Sequence, residues 1–177
     1  MITKTDWRAE ALAAFEPELE ERLVREEEYA RQHFGDLLSR CESPIEAKFI
    51  VALFGHGEFD DMVVRVGTGA EHFGCLADKL EVCPQFVIGP YRCDFAFLQF
   101  HPRGTTTRII VECDGHDFHD RTKEQAQRDK SRDRFLQSRG WRVFRFTGSE
   151  IHRDAHKCVD EVAHIILDDT FTDWRAA

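Results

Sequence analysis

Between residues 6 and 38 the apolar positions Leu12, Phe15, Leu19, Leu23, Tyr29 and Phe34 recur at roughly helical intervals among Ala, Glu and Arg. The spacing predicts one or two amphipathic helices, broken near Pro17. A sharper start signal follows in CESPIEAKFIVALF. Ser43 is an N-cap, Pro44 suits the first helical position and Glu46 completes a capping box, with Ile45, Phe49, Ala52 and Leu53 as the apolar stripe. Residues 55–84 are irregular, with a short strand expected at Met62–Val66 and a turn of helix near Leu76–Leu80. FVIGPYRCDFAFLQF then reads as a strand interrupted by a Gly89-Pro90 turn. In its second half Tyr91, Cys93, Phe95 and Phe97 alternate with Arg92, Asp94, Ala96 and Leu98. HPRGTTT is a hairpin connection and RIIVECD the return strand, with Ile110, Glu112 and Asp114 on one face.

Thr122 and Gln125 form another capping box, opening a helix that stops at Gly140. WRVFRF is a further strand, and Thr147 to Glu150 caps a last helix holding Val159, Val162, Ile165 and Ile166. The order is helix, strand–strand hairpin, strand, helix, strand, helix. That is a mixed α/β layout in which a meander receives its last strand through a helical crossover.

A chain of 177 residues with 42% hydrophobic and 32% charged residues is long enough to bury a proper core and fits a soluble globular class. No apolar run approaches membrane-spanning length, and the first twenty residues are acidic without an apolar signal core. A cytoplasmic protein with no membrane partner and reduced thiols is therefore expected; none of the six cysteines has a zinc spacing. The net charge of −9 argues at first against nucleic acid. Its distribution changes that reading. Residues 1–90 hold 9 basic and 18 acidic side chains, whereas 121–145 hold nine basic and three acidic. An acidic front is thus joined to a local basic patch, which taken alone reads first as a solvated helix face and second as a contact for a phosphate backbone.

The chemistry gathers at IIVECDGHDFH. Glu112 and Asp114 share a face at the end of an apolar strand, and Asp94 lies in the neighbouring strand of the hairpin. Unpaired carboxylates at a sheet end are costly, so something must balance them. Hard oxygen ligands clustered in this way suit Mg²⁺ or Mn²⁺, with the Cys113 carbonyl as a further ligand.

RCDFAF, then IIVECDG, then a helix with RDKSRDRFL and the strand GWRVFRFTGSEI together resemble the PD-(D/E)XK restriction-endonuclease-like superfamily, in particular its bacterial branch akin to very-short-patch-repair endonucleases. The resemblance spans about residues 43–153. It implies an αβββαβ core, a mixed sheet flanked by helices, over residues 41–177, with residues 1–40 as a helical N-terminal extension. It also implies a metal-dependent endonuclease hydrolysing DNA. Asp94 resembles the aspartate of the central hairpin, Glu112 the D/E of (D/E)xK, and Glu46 an extra acidic ligand of the first helix. Asp114 stands where lysine is usual, which leaves the group that activates water open among His119, His116, Lys123 and Lys130. A histidine suits proton transfer near neutral pH, and a lysine on the following helix would restore the charge. Arg121, Lys123, Gln125, Arg128 and Gln85 are the candidate nucleic-acid contacts. The acidic N-terminal helices would cover that surface or make a homodimer. Two rival readings use the same residues: an inactive nucleic-acid-binding or assembly module, and a regulatory protein whose acidic half docks a partner.

Overall fold

The computed structural model describes residues 7–59, 63–64, 80–101, 104–115 and 123–175. They belong to two compact units, Met1–Asp36 and Leu37–Ala177.

The first unit is carried by α1 (Trp7–Ser39), one continuous helix that runs through Pro17, where the sequence predicted a break. Proline in a helix interior removes one hydrogen bond and crowds the preceding turn, at a cost of about 3 kcal/mol. Helix-favouring Ala, Leu, Glu and Arg continue on both sides. Beyond Pro17 the ion pairs Arg25–Glu21 (3.8 Å), Arg22–Glu26 (2.6 Å) and Arg31–Glu27 (2.6 Å) add i,i+4 support. Phe15, Leu19 and Leu23, four apart in sequence, are all exposed.

The second unit is built on a five-stranded mixed sheet in the order β1-β2-β3-β4-β5. The strands are β1 (Val63–Val64), β2 (Leu80–Ile88), β3 (Tyr91–Phe100), β4 (Thr106–Asp114) and β5 (Arg142–Thr147). β2, β3 and β4 form an antiparallel meander, while β1 and β5 join its two sides in parallel. The helices are α2 (Pro44–Phe54), α3 (Lys123–Gln137) and α4 (Gly148–Arg175). This is the mixed α/β architecture expected, with α3 as the crossover from β4 to β5. Of the irregular stretch, Val63–Val64 is a strand, and Leu80, expected to end a helical turn, opens β2. The rest of the expected turn lies outside the described residues.

Apolar side chains cover both sheet faces. On one, Phe49 of α2 stacks on Phe95 and Phe146, with ring centroids 5.8 and 6.1 Å apart. On the other, Leu136 of α3 and Trp141 join Cys83, Phe86, Ile88, Cys93, Ala96, Leu98 and Ile110. That second set corrects the predicted alternation. Along β2 its members step from Cys83 to Phe86, and along β3 from Cys93 to Ala96, so both strands skip one position. The skip coincides with a gap in pairing: Pro84 pairs with Phe95 and Phe86 with Cys93, while Gln85 and Asp94 between them are unpaired. Gln85 has φ of 52°, a left-handed conformation rare for a side chain of its kind. Pro84, which has no N–H to give to a ladder, stands just before it. The sheet is therefore faulted where an aspartate must leave the regular pleat.

Helix ends at the same end of the sheet are built from the chain itself. Ser43 Oγ accepts the Glu46 N–H at 3.2 Å, as an N-cap should. Thr147 and Glu150 cap α4 reciprocally: the Glu150 N–H donates to Thr147 Oγ1 at 3.2 Å and the Thr147 N–H to Glu150 Oε2 at 2.8 Å. Within α4 the helix kinks at Asp154, whose Oδ1 accepts the Lys157 N–H at 3.0 Å and so caps the longer second part.

Candidate functional site

β4 carries a run of buried apolar residues, Ile109 to Val111, directly into Glu112, which is itself buried. Its register with β3 ends at Phe95 opposite Val111, so Asp94 stands one step beyond, beside Glu112. The pairing fault releases Asp94 from its own ladder, and its Oδ2 accepts the Cys113 N–H at 2.7 Å. Two carboxyls from adjacent strands are thus held at the same end of the sheet. The expected contribution of Cys113 was its carbonyl; its N–H is what anchors Asp94 here.

Glu112 and Asp114 share the α3 face, and arginines meet both. Arg132 of α3 forms a hydrogen-bonded ion pair with Glu112 Oε1, and the same Nη2 donates to the Arg92 carbonyl at 2.6 Å. Arg132 Nε is buried without a hydrogen-bond partner. Arg145, the β5 register partner of Glu112, reaches Asp114 Oδ1 at 3.4 Å and Asp133 Oδ1 at 2.8 Å. Neither arginine was among the expected site residues. A signal for Arg132 was present, since it lies four residues before Leu136 and so shares its sheet-facing stripe. For Arg145 the signal was its place on the return strand, in register with Glu112.

Glu46 is buried at the start of α2. Its Oε2 accepts the Glu42 N–H at 2.9 Å and Gln85 Nε2 at 3.0 Å. The carboxylate half of its capping role is therefore turned to Glu42, and Gln85, expected as a nucleic-acid contact, points at Glu46. Lys130 and Arg128 are exposed on α3, and Gln125 is exposed near its start. His116, His119, Arg121 and the side chain of Lys123 lie outside the described residues.

The electrostatics follow from burial. Burial raises the Asp94 carboxyl to about 6, the Cys113 N–H pulling the other way and Glu46 adding repulsion. Burial likewise raises Glu112 to about 7 against the pull of Arg132, with Asp94 adding to the rise. Two carboxyls that resist ionisation together are short of positive charge. Among the described residues no group of three or more His, Cys, Asp or Glu side chains converges on one metal position. A magnesium site asks for less, one or two carboxylates with water and substrate supplying the rest. Asp94 has one oxygen engaged, at the Cys113 N–H, and Glu112 meets Arg132 through Oε1 and also the Cys93 thiol, a weak partner that a cation can displace. As a donor set they fit a small hard cation.

Among the described residues no helix is long and apolar enough to cross a membrane. The model of one family, REase_MTES_1575, which is restriction-endonuclease-like, matches residues 76–166, just over half of the chain. The match takes in the end of the irregular stretch, the whole β2–β3–β4 meander, α3, β5 and the first part of α4. No curated protein and no solved structure matches the chain.

Proposed function

The chain belongs to the restriction-endonuclease-like family REase_MTES_1575, and on that footing we propose that it is a divalent-metal-dependent endonuclease acting on DNA. One observation carries the reading: Asp94 and Glu112, buried on neighbouring strands, meet at a sheet end with a single arginine on the pair. Asp94, Glu112 and the Cys113 carbonyl would hold Mg²⁺ or Mn²⁺, with Glu46 behind them as an outer carboxylate. When bound, such a cation lowers the pKa of a coordinated water and stabilises charge on the attacked phosphate.

The chain's own groups do the rest. The Cys113 N–H fixes the direction of Asp94, and Arg132 fixes Glu112. Gln85 holds Glu46 turned toward the sheet end. Asp114, steadied by Arg145, stands one turn of the pleat beyond Glu112, able to orient water. His119 and Lys130 are the groups we assign to proton transfer, the histidine for its titration range and the lysine for its charge. Arg121, Lys123, Gln125 and Arg128 would lie along the DNA backbone, an interaction that weakens steeply with salt. The exposed Phe15, Leu19 and Leu23 of α1 suit a second copy of the chain, which would make the enzyme a homodimer through its N-terminal helices.

The test is cleavage of single-stranded, duplex, mismatched and branched DNA with Mg²⁺, Mn²⁺ or chelator, comparing the wild type with Glu112→Ala. Metal-dependent cutting that the substitution abolishes supports the enzyme. Absence of cutting on every substrate, together with no heat of metal binding, makes the chain an inactive nucleic-acid-binding module instead.

A further inference from the structure

We infer that Arg132 is an exchangeable counter-ion: it holds Glu112 when no cation is bound, and yields it to a divalent cation while its fork turns to the phosphodiester. The inference rests on the reading of Asp94 and Glu112 as the cation's ligands.

Charge is the first argument. Asp94 and Glu112 carry two negative charges when ionised, and Arg132 supplies one positive charge to them. Arg145 also attracts Glu112 from the neighbouring strand, but its hydrogen bonds go to Asp114 and Asp133. A divalent cation balances the two carboxylates by itself and so competes with the guanidinium for Glu112, which frees the fork for another acceptor. A phosphodiester brings the one negative charge that answers it. Guanidinium is also the side chain best shaped for phosphate oxygens, because it offers two parallel donors at once.

Hydrogen bonding is the second argument. In its present position Arg132 spends Nη2 on two acceptors, Glu112 and the Arg92 carbonyl, and also meets the Cys93 thiol, while Nε is buried with no hydrogen-bond partner. A buried unsatisfied donor costs free energy, so this placement is held by Glu112 and is not the best that the guanidinium can find. A rotated fork that carries Nε out to a phosphate oxygen removes that defect.

A second berth is in place. The Arg92 carbonyl of β3 already accepts from the guanidinium, and the Tyr91 ring lies 5.8 Å from the guanidinium carbon. Cation–π contact is favourable at such a distance. The guanidinium can therefore leave Glu112 without leaving the protein surface, pivoting between the backbone and the ring.

The experiment uses the full chain, labelled with ¹⁵N, and Mg²⁺ alone as the probe. The Arg132 Nε–H resonance, assigned through its own side chain, is followed as Mg²⁺ is added, with calorimetry giving the affinity on the same sample. The expected result is a shift or loss of that resonance with the same midpoint as the heat. Arg132→Met should bind Mg²⁺ about threefold or more tightly than wild type, because a like charge beside the site is gone. Arg132→Lys should keep the wild-type affinity to within about twofold, because the charge remains. If Mg²⁺ binds wild type while the Nε–H signal stays still and Arg132→Met binds no more tightly, the arginine is a fixed partner of Glu112 and the exchange is wrong. If Mg²⁺ does not bind the wild type at all, the metal reading of Asp94 and Glu112 fails and the exchange falls with it.

Discussion

β4 enters two buried polar clusters, one near each end. Near its start, buried Thr107 bonds the buried His101 Nε2 at 2.8 Å and donates to Asp169 Oδ2 at 2.6 Å, and Arg142 reaches Asp169 Oδ1 at 2.9 Å. Five residues on, about 17 Å along the strand, buried Glu112 meets Arg132, with Asp94 alongside. The first cluster is closed in charge, although the buried Gln99 Oε1, on the strand position opposite Thr107, has no hydrogen-bond partner. One carboxylate faces one guanidinium, a hydroxyl lies between carboxylate and imidazole, and it ties the C-terminal part of α4 to the strands. The second is short of charge, and its orphan is a charged donor, Arg132 Nε. A protein that only needed to fasten its sheet would repeat the first arrangement. The imbalance at the second is what the proposed cation would answer.

The comparison can be broken most sharply at Glu112. With the assay for metal-dependent DNA cleavage, Glu112→Gln and Asp94→Asn should each lower the rate by about a thousandfold or more, on the order of 4 kcal/mol of transition-state stabilisation. Thr107→Val, made at the closed end, should leave cleavage within about twofold. Equal losses at both ends would erase the distinction.

The two ends should also differ in their response to pH. Glu112 stands at about 7 in the folded chain against an ordinary 4.5, and Asp94 at about 6 against 3.8. Carboxyls raised by folding favour the folded state fully at pH below their ordinary values, and that contribution is lost as pH rises through the folded ones. In chelator, then, wild type should lose stability relative to Glu112→Gln between about pH 4.5 and 7, measured by urea unfolding. Mg²⁺ should restore it above pH 7, because the ion favours the ionised pair. A flat difference across that window would mean that Arg132 alone balances Glu112.

At the closed end the effects are on stability. Thr107→Val takes the hydroxyl partner from both His101 and Asp169, leaving Asp169 only Arg142, at a cost of about 1–3 kcal/mol with cleavage intact. Arg142→Gln removes only a half-exposed ion pair, and the change in unfolding free energy should stay below about 1 kcal/mol.

Much of the frame around the site was legible locally. The N-cap at Ser43, the turn at Gly89-Pro90, the apolar run of β4 and the reciprocal cap at Thr147 each depend on residues close together in sequence, and each is where the spacing placed it. What escaped depends on distant partners or on one backbone angle. Pro17 was read as a stop because proline usually is one, yet the helix on either side carries it. Alternation along β3 was read straight through Asp94, because nothing in RCDFAF announces that Gln85 on the opposite strand adopts a left-handed angle. Arg132 lies four residues before Leu136 and so on the sheet-facing stripe of α3, but its meeting with Glu112 arises only when the crossover packs on the sheet.

The fault at Gln85 and Asp94 also bears on motion. It divides the β2–β3 hairpin into a long inner ladder, Leu80–Pro84 against Phe95–Gln99, and a short outer one, Phe86–Ile88 against Tyr91–Cys93. Cooperative opening follows runs of unbroken pairing, so the outer three rows can unzip from the turn while the inner five stay closed. Amide hydrogens beyond the fault should exchange with solvent faster than those of Val82 or Phe97. Arg92, whose carbonyl holds Arg132, lies in that outer piece, so the wall of the site nearest the turn is tied to the core by the side chains of Phe86, Ile88 and Cys93 and not by a continuous ladder.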